Sequence, residues 1–300
     1  MRSGNADRPL VNSALKRDGL NRVAPNMLDR VEKTALSAAK AAGRVLRDRL
    51  GRAGKVSVKS TAIDLVSEAD LEAQAAIFRI IKSRFPRNCI LSEEEAGDRP
   101  GLEQESLWVI DPLDGTTNFT HTFPQFCVSL AYLHGGRPLV GVVYDPLRNE
   151  LFQAQRGKGA YLNRRPIRVS AVRSLAQALL ATGFAYDRRK RADFYLAFWK
   201  AFMMRTQGTR RAGAAALDLA YVACGRLDGF WEFGLKPWDV AAGALIVEEA
   251  RGRVSNMDGS PLKLDAGNIL ATNRRLHRPM MAVLEHTLKS FVAAPVSERT

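Results

Sequence analysis

The chain has 300 residues, of which 46% are apolar and 25% charged, with a formal charge of +14. That is enough for one large domain or two packed ones, and no run reaches the roughly 18 apolar residues of a membrane span. Three scattered cysteines, Cys89, Cys127 and Cys224, favour reduced core thiols in a cytoplasm over a disulfide framework or a zinc site. Residues 1–25 lack the apolar core of a secretory signal and read as a disordered, mildly basic tail. Leu28 to Leu50 carries helical spacing, "GKVSVK" alternates as a strand, and "DLEAQAAIFRIIKSRF" reads as an amphipathic helix that Pro86 ends. "CILSEEE" is a short strand entering an acidic loop, and "SLWVI" is a strand leading into "DPLDGTTNF". Phe126 to Leu162 is β-rich, with a hairpin at Gly135-Gly136 and strands in "ELFQAQ" and "GAYLN".

Beyond about residue 170 the strands "ALLATGF", "LDGFWEF" and "NILATN" alternate with the helices "FYLAFWKAFMM", "ALDLAYVACG" and "WDVAAGALIVEEA". "RPMMAVLEHTLKSF" closes the chain as a helix, with 294–300 as a tail. The pattern predicts layered sheets with helices between them, built from two parts of one domain, 26–170 and 171–293. The basic excess fits either a nucleic-acid surface or a diffuse bias that draws in an anionic substrate. Arg156, Lys158, Arg164, Arg165, Arg168 and Arg173 cluster without an acid between them. No helix-turn-helix punctuation, finger ligands or aromatic RNA-binding signature accompanies them.

The chemistry lies in the acids. Asp111 and Asp114 follow an apolar strand, three residues apart, and are able to aim at one point with the Leu113 carbonyl between them. Hard cations take such clustered oxygens, magnesium typically through one or two carboxylates plus water and phosphate. A calcium EF-hand is excluded, because the twelfth position counted from Asp111 is Thr122. Gly115, Thr116 and Thr117 stand where a loop opens into a helix, offering N–H groups to phosphate. Asp70 reads either as a helix cap or as a functional acid. "SEEE", residues 92–95, reads as a solvated loop or a ligand source. Glu232 shares a strand face with Phe230, where a lone carboxylate is costly unless paired or bound to a cation. Asp239 opens a helix that is apolar nearly all round, as a cap or facing a ligand.

"WVIDPLDGTTNF" and "KPWDVAAGALIVEEA" resemble the two signatures of the inositol monophosphatase family, with "SEEE" and "DLVSEAD" at the places of its other acidic motifs. The similarity spans about residues 28 to 290 and is closest to the bacterial, extragenic-suppressor branch. It implies an α/β (α+β) class protein, a layered αβαβα sugar-phosphatase fold with two mixed sheets between helices. The implied activity is magnesium-dependent, lithium-sensitive hydrolysis of a small polyol phosphate, inositol 1-phosphate above all, by a homodimer. Two to three Mg2+ ions would sit on Glu93, Asp111, the Leu113 carbonyl, Asp114 and Asp239. Asp70 and Thr116 match the pair that activates water. Substrate would meet Glu93, Leu113, Asp114, Gly115, Thr116, Arg210, Ala215, Glu232 and Asp239. The branch also implies a contact with RNA or RNA polymerase. Two positions depart from the pattern. Arg251 replaces a glycine after the second signature, where a left-handed turn is expected to be lost or strained. Ala214 stands where a hydroxyl is usual, which leaves the substrate less determined than the reaction.

Overall fold

This computed structural model describes residues 25–52, 56–58, 65–95 and 99–293. Most of the tail expected over 1–25, and all of that over 294–300, lies outside the described residues. Helix α1 (Pro25–Arg49) is alanine-rich and buries Val31, Ala35, Ala38, Ala42 and Leu46, the i, i+3, i+4 stripe of an amphipathic helix. It packs beside α2 (Glu68–Arg84), and both cover one face of a seven-stranded sheet. That sheet runs in the order β3 (Cys89–Ser92), β4 (Leu107–Asp114), β5 (Cys127–His134), β6 (Arg137–Asp145), β7 (Glu150–Gln155), β8 (Ala160–Leu162), β9 (Arg165–Pro166). Only β3 and β4 are parallel. The Gly135-Gly136 hairpin joins β5 to β6, with both glycines at positive φ.

A second, five-stranded sheet runs β11 (Gly208–Arg210), β10 (Leu179–Thr182), β12 (Gly229–Phe233), β14 (Asn268–Thr272), β13 (Arg253–Ser255). Strand β10 is parallel to both of its neighbours and the remaining pairs are antiparallel, so this sheet too is mixed. Between the sheets lie α5 (Ala215–Ala223) and α6 (Pro237–Glu249), and α4 (Ala192–Met203) and α7 (His277–Ala293) cover the outer face of the five-stranded sheet. The order of layers is α, β, α, β, α, as the family resemblance implies. Helix α6 is buried on nearly every side because it sits between two sheets. Its approach needs missing side chains: a Cβ on Gly141 of β6 would lie 2.8 Å from the Ala242 carbonyl, and one on Gly243 would lie 2.6 Å from Leu219 Cβ.

The strands absent from the sequence reading are β2 (Leu65–Ser67), which pairs antiparallel with β1 (Val56–Val58), and β9, β11 and β13. Each is two or three residues long, too short to show a period of two; partner strands define them. Strand β4 also runs past Ile110, through Asp114.

Candidate active site

The two aspartates of the acidic motif are brought together by a fault in β4. Asp111 pairs with Ser129 and Asp114 with Cys127 on β5, so three steps on β4 meet two on its partner. Strict alternation would put residues three apart on opposite faces; one extra residue turns both toward the same side. Asp111 Oδ1 accepts the Leu113 N–H at 2.9 Å, which holds the bulge closed. The chain then turns through Gly115 at φ 98° into the short helix α3 (Thr116–Thr120). A Cβ there would lie 3.0 Å from the Gln125 carbonyl, and the left-handed backbone itself favours glycine.

Asp70 and Asp239 each occupy the third position of a helix, α2 and α6, and each uses one oxygen as a cap. Asp70 Oδ2 accepts the Ser67 N–H at 2.8 Å and the Ser67 hydroxyl at 2.5 Å; Asp239 Oδ2 accepts the Lys236 N–H at 2.6 Å. Capping leaves the other oxygen of Asp70, Oδ1, to take a hydrogen bond from the Thr116 hydroxyl at 3.1 Å. Thr116 Oγ1 also lies 3.2 Å from the Leu113 carbonyl. Asp114 reaches across to α5, accepting the N–H groups of Ala215 at 3.3 Å and Ala216 at 2.8 Å. It caps a helix whose N-cap residue, Ala214, has no side-chain acceptor. Glu93 follows β3, and its N–H donates to the Ile110 carbonyl at 3.1 Å, which sets it beside β4.

These acids crowd one end of a cavity of about 820 Å³, lined by every expected site residue except Asp70, which stands behind Thr116, and Arg210. Arg210 is exposed and turns back on its own strand, its guanidinium 3.3 Å from the Thr209 carbonyl; its neighbour Arg211 lines the wall instead. Burial, then the charges of Glu93, Asp114 and Asp239, raise the pKa of Asp111 well above the usual carboxylate range. Asp114 is pushed up to about 7, mainly by burial, against the pull of the Ala216 N–H. Asp239 and Glu232 are raised by burial and then, respectively, by Glu93 and by Asp218 and Asp239, with Arg211 opposing the rise at Glu232. Asp70 is raised by burial, with its Ser67 and Thr116 hydrogen bonds opposing. So much negative charge in one buried place calls for a cation. No three such donors stand in a ready-made cage among the described residues.

Other residues at the site were not singled out from the sequence. Ser67 stands three residues before Asp70 in a capping arrangement, a signal legible in "SEAD". The Asn118 amide donates to the Gln125 carbonyl at 2.7 Å and the Ala212 carbonyl at 2.9 Å, tying the α3 turn to the approach to α5. The Cys127 thiol lies 3.6 Å from Asp114 Oδ2. Asp218, buried on α5, has its pKa raised by burial and by Asp114; nothing in the sequence set it apart from a surface acid.

The family model "Inositol monophosphatase family" matches residues 27–289. An inositol-1-monophosphatase from Synechocystis is 48% identical over 268 residues, covering 89% of this chain and 93% of the relative. A protein named Nus factor SuhB from Pseudomonas aeruginosa is 45% identical over 255 residues, covering 84% and 94%. A solved inositol monophosphatase from Anabaena superposes with a TM-score of 0.79 at 45% identity, covering 90% of this chain and 99% of that one.

Proposed function

The chain belongs to the inositol monophosphatase family, and on that premise we propose a magnesium-dependent phosphatase acting on inositol 1-phosphate and similar small polyol phosphates. The observation that carries the reading is the crowding of Glu93, Asp111, Asp114 and Asp239 around a cavity whose edge holds the Thr116–Asp70 hydrogen bond. Glu93, Asp111, the Leu113 carbonyl, Asp114 and Asp239 are the residues that would hold two to three Mg2+ ions. Bound magnesium supplies charge stabilisation at the phosphoryl oxygens and lowers the pKa of water. Thr116 Oγ1 orients the attacking water and takes a proton from it while passing its own to Asp70 Oδ1. The raised pKa of Asp70 suits it to accept that proton. The Gly115–Thr116 turn receives the phosphate, and Ala215, Glu232 and Asp239 face the polyol, with Arg211 rather than Arg210 on the wall beside them.

Phosphate release from inositol 1-phosphate, fructose 1,6-bisphosphate, histidinol phosphate and 3′-phosphoadenosine 5′-phosphate, with and without magnesium, tests the reading. The expected result is magnesium-dependent turnover, fastest on inositol 1-phosphate and slowed by millimolar lithium. Turnover of none of the four overturns it.

A second reading, contact with RNA or the transcription machinery, is favoured by the Nus factor relatives and by charge. Arg156 and Lys158 are engaged by Glu248 and Asp29, whereas Arg164, Arg165, Arg168 and Arg173 are exposed with no ion pair among the described residues. Leu196, Met203 and Met204 leave apolar surface on and beside α4, which fits a homodimer; a monomer in sedimentation at micromolar concentration counts against one. No helix among the described residues is long and apolar enough to cross a membrane.

A further inference from the structure

Glu232 reaches the cavity from the end of β12, and its carboxylate has no hydrogen bond or ion pair among the described residues. What seats it is an absence next door. Thr182 of β10 pairs with Trp231 of the parallel β12, so the next residues, Gly183 and Glu232, come out side by side where both strands end. Neighbours in register point to the same face. A Cβ built on Gly183 would lie 2.1 Å from Glu232 Oε1 and 2.2 Å from its Cδ, so the carboxylate fills the place a side chain would take. The Gly183 backbone lies outside the left-handed region that favours glycine. Space, not backbone conformation, is what requires glycine here.

We propose that Gly183 is a positioning residue for substrate choice: by carrying no side chain it seats the Glu232 carboxylate at the cavity wall, where it accepts the hydroxyls of a polyol phosphate. This rests on the reading of Glu232 as the hydroxyl acceptor. Alanine at 183 displaces only the far end of a flexible side chain, so the fold tolerates it while the carboxylate swings out of place. Shortening the displaced side chain by one methylene gives the room back.

The test compares wild type, Gly183→Ala, Glu232→Asp and the double variant on inositol 1-phosphate and on p-nitrophenyl phosphate, which has no hydroxyl to recognise. Gly183→Ala is expected to raise KM for inositol 1-phosphate about tenfold, the scale of one hydrogen bond to a charged group. Its kcat, its melting temperature and both constants for the aryl ester should stay near wild type. In the Glu232→Asp background the same alanine should change KM less than about twofold, because the clash is gone. Unchanged KM, equal losses on both esters, or additive losses in the double variant each overturn the proposal. Should the wild type hydrolyse the aryl ester and no polyol phosphate, the function reading fails. A crystal structure of Gly183→Ala then decides the steric claim by itself, since Glu232 left in its original place refutes it.

Discussion

At the scale of single residues the site turns on one shared proton. The Thr116 hydroxyl has one hydrogen and two acceptors, Asp70 Oδ1 at 3.1 Å and the Leu113 carbonyl at 3.2 Å. A neutral hydroxyl adds little to holding a cation already given carboxylates, so its loss should slow chemistry and spare metal binding. Thr116→Ala and Asp70→Asn are each expected to lower kcat by about 10²–10⁴-fold at saturating magnesium. The double variant should be little worse than either, with Thr117→Ala milder; near-normal kcat in Thr116→Ala or fully multiplicative losses would separate the pair. Asp111→Asn and Asp239→Asn should abolish turnover and weaken magnesium binding in calorimetry.

The same carboxylates set a pH dependence in the metal-free protein. Their folded pKa values lie above the unfolded ones, so the folded chain keeps protons at a pH where the unfolded chain has lost them. Stability therefore falls as pH rises, for Asp114 between 3.8 and about 7. Asp111, Asp239 and Glu232 act in the same direction. With chelator present the melting temperature should drop between pH 5 and pH 8, and magnesium should restore it at pH 8. A flat chelated profile would contradict the crowding of charge.

Elements end in ways that carry their own consequences. Helix α6 closes in a Schellman turn, with the Arg251 N–H donating to the Glu248 carbonyl at 3.0 Å and the Gly252 N–H to the Val247 carbonyl at 2.8 Å. Arg251 takes φ 70° there, so the turn expected to be lost or strained is kept, at a conformational cost. Arg251→Gly should stabilise the protein by about 0.5–1 kcal/mol, read as a shift in denaturant midpoint. Helix α7 begins at His277, which is 1% exposed and bonded through Nε2 to the Ser255 hydroxyl at 2.9 Å and through Nδ1 to the Thr272 hydroxyl at 3.0 Å. Burial and the charge of Arg253 lower its pKa to about 4. The neutral ring is the stable form, so this contribution is intact above about 6.5 and is lost as pH falls toward 4, opposite in sign to the carboxylates. His277→Gln should flatten that acid limb of the unfolding profile; an unchanged limb would remove His277 as its source.

Across the whole molecule, a chain of formal charge +14 holds an acidic centre. The exposed arginines at 164, 165, 168 and 173 lie along and just beyond the β8–β9 edge of the large sheet. Any RNA contact made there should be strongly salt-dependent and should survive Asp111→Asn, because the active site repels a second polyanion. Filter binding is expected to weaken steeply between 50 and 200 mM salt, on the order of 10³-fold if six phosphates are contacted. No binding at low salt would leave the phosphatase alone.

The acids that line the cavity were readable along the chain because they interrupt apolar runs at Asp111, Glu232 and Asp239, where burial makes charge expensive. Helix periodicity and the Gly135-Gly136 turn likewise needed no partner to be seen. Other features depend on neighbours distant in sequence. The bulge that turns Asp114 to the side of Asp111 exists only against β5, and the three-residue strands exist only by pairing. Arg210 and Arg211 are adjacent, and which one faces the cavity depends on where β11, ending at Arg210, pairs with β10 and lets the chain leave the sheet. The cap that Ala214 lacks is supplied by Asp114, which accepts the N–H of Ala215 from 101 residues away. Local pattern reports what a segment buries, while aim and contact belong to the packed layers, because they depend on which strand or helix lies alongside.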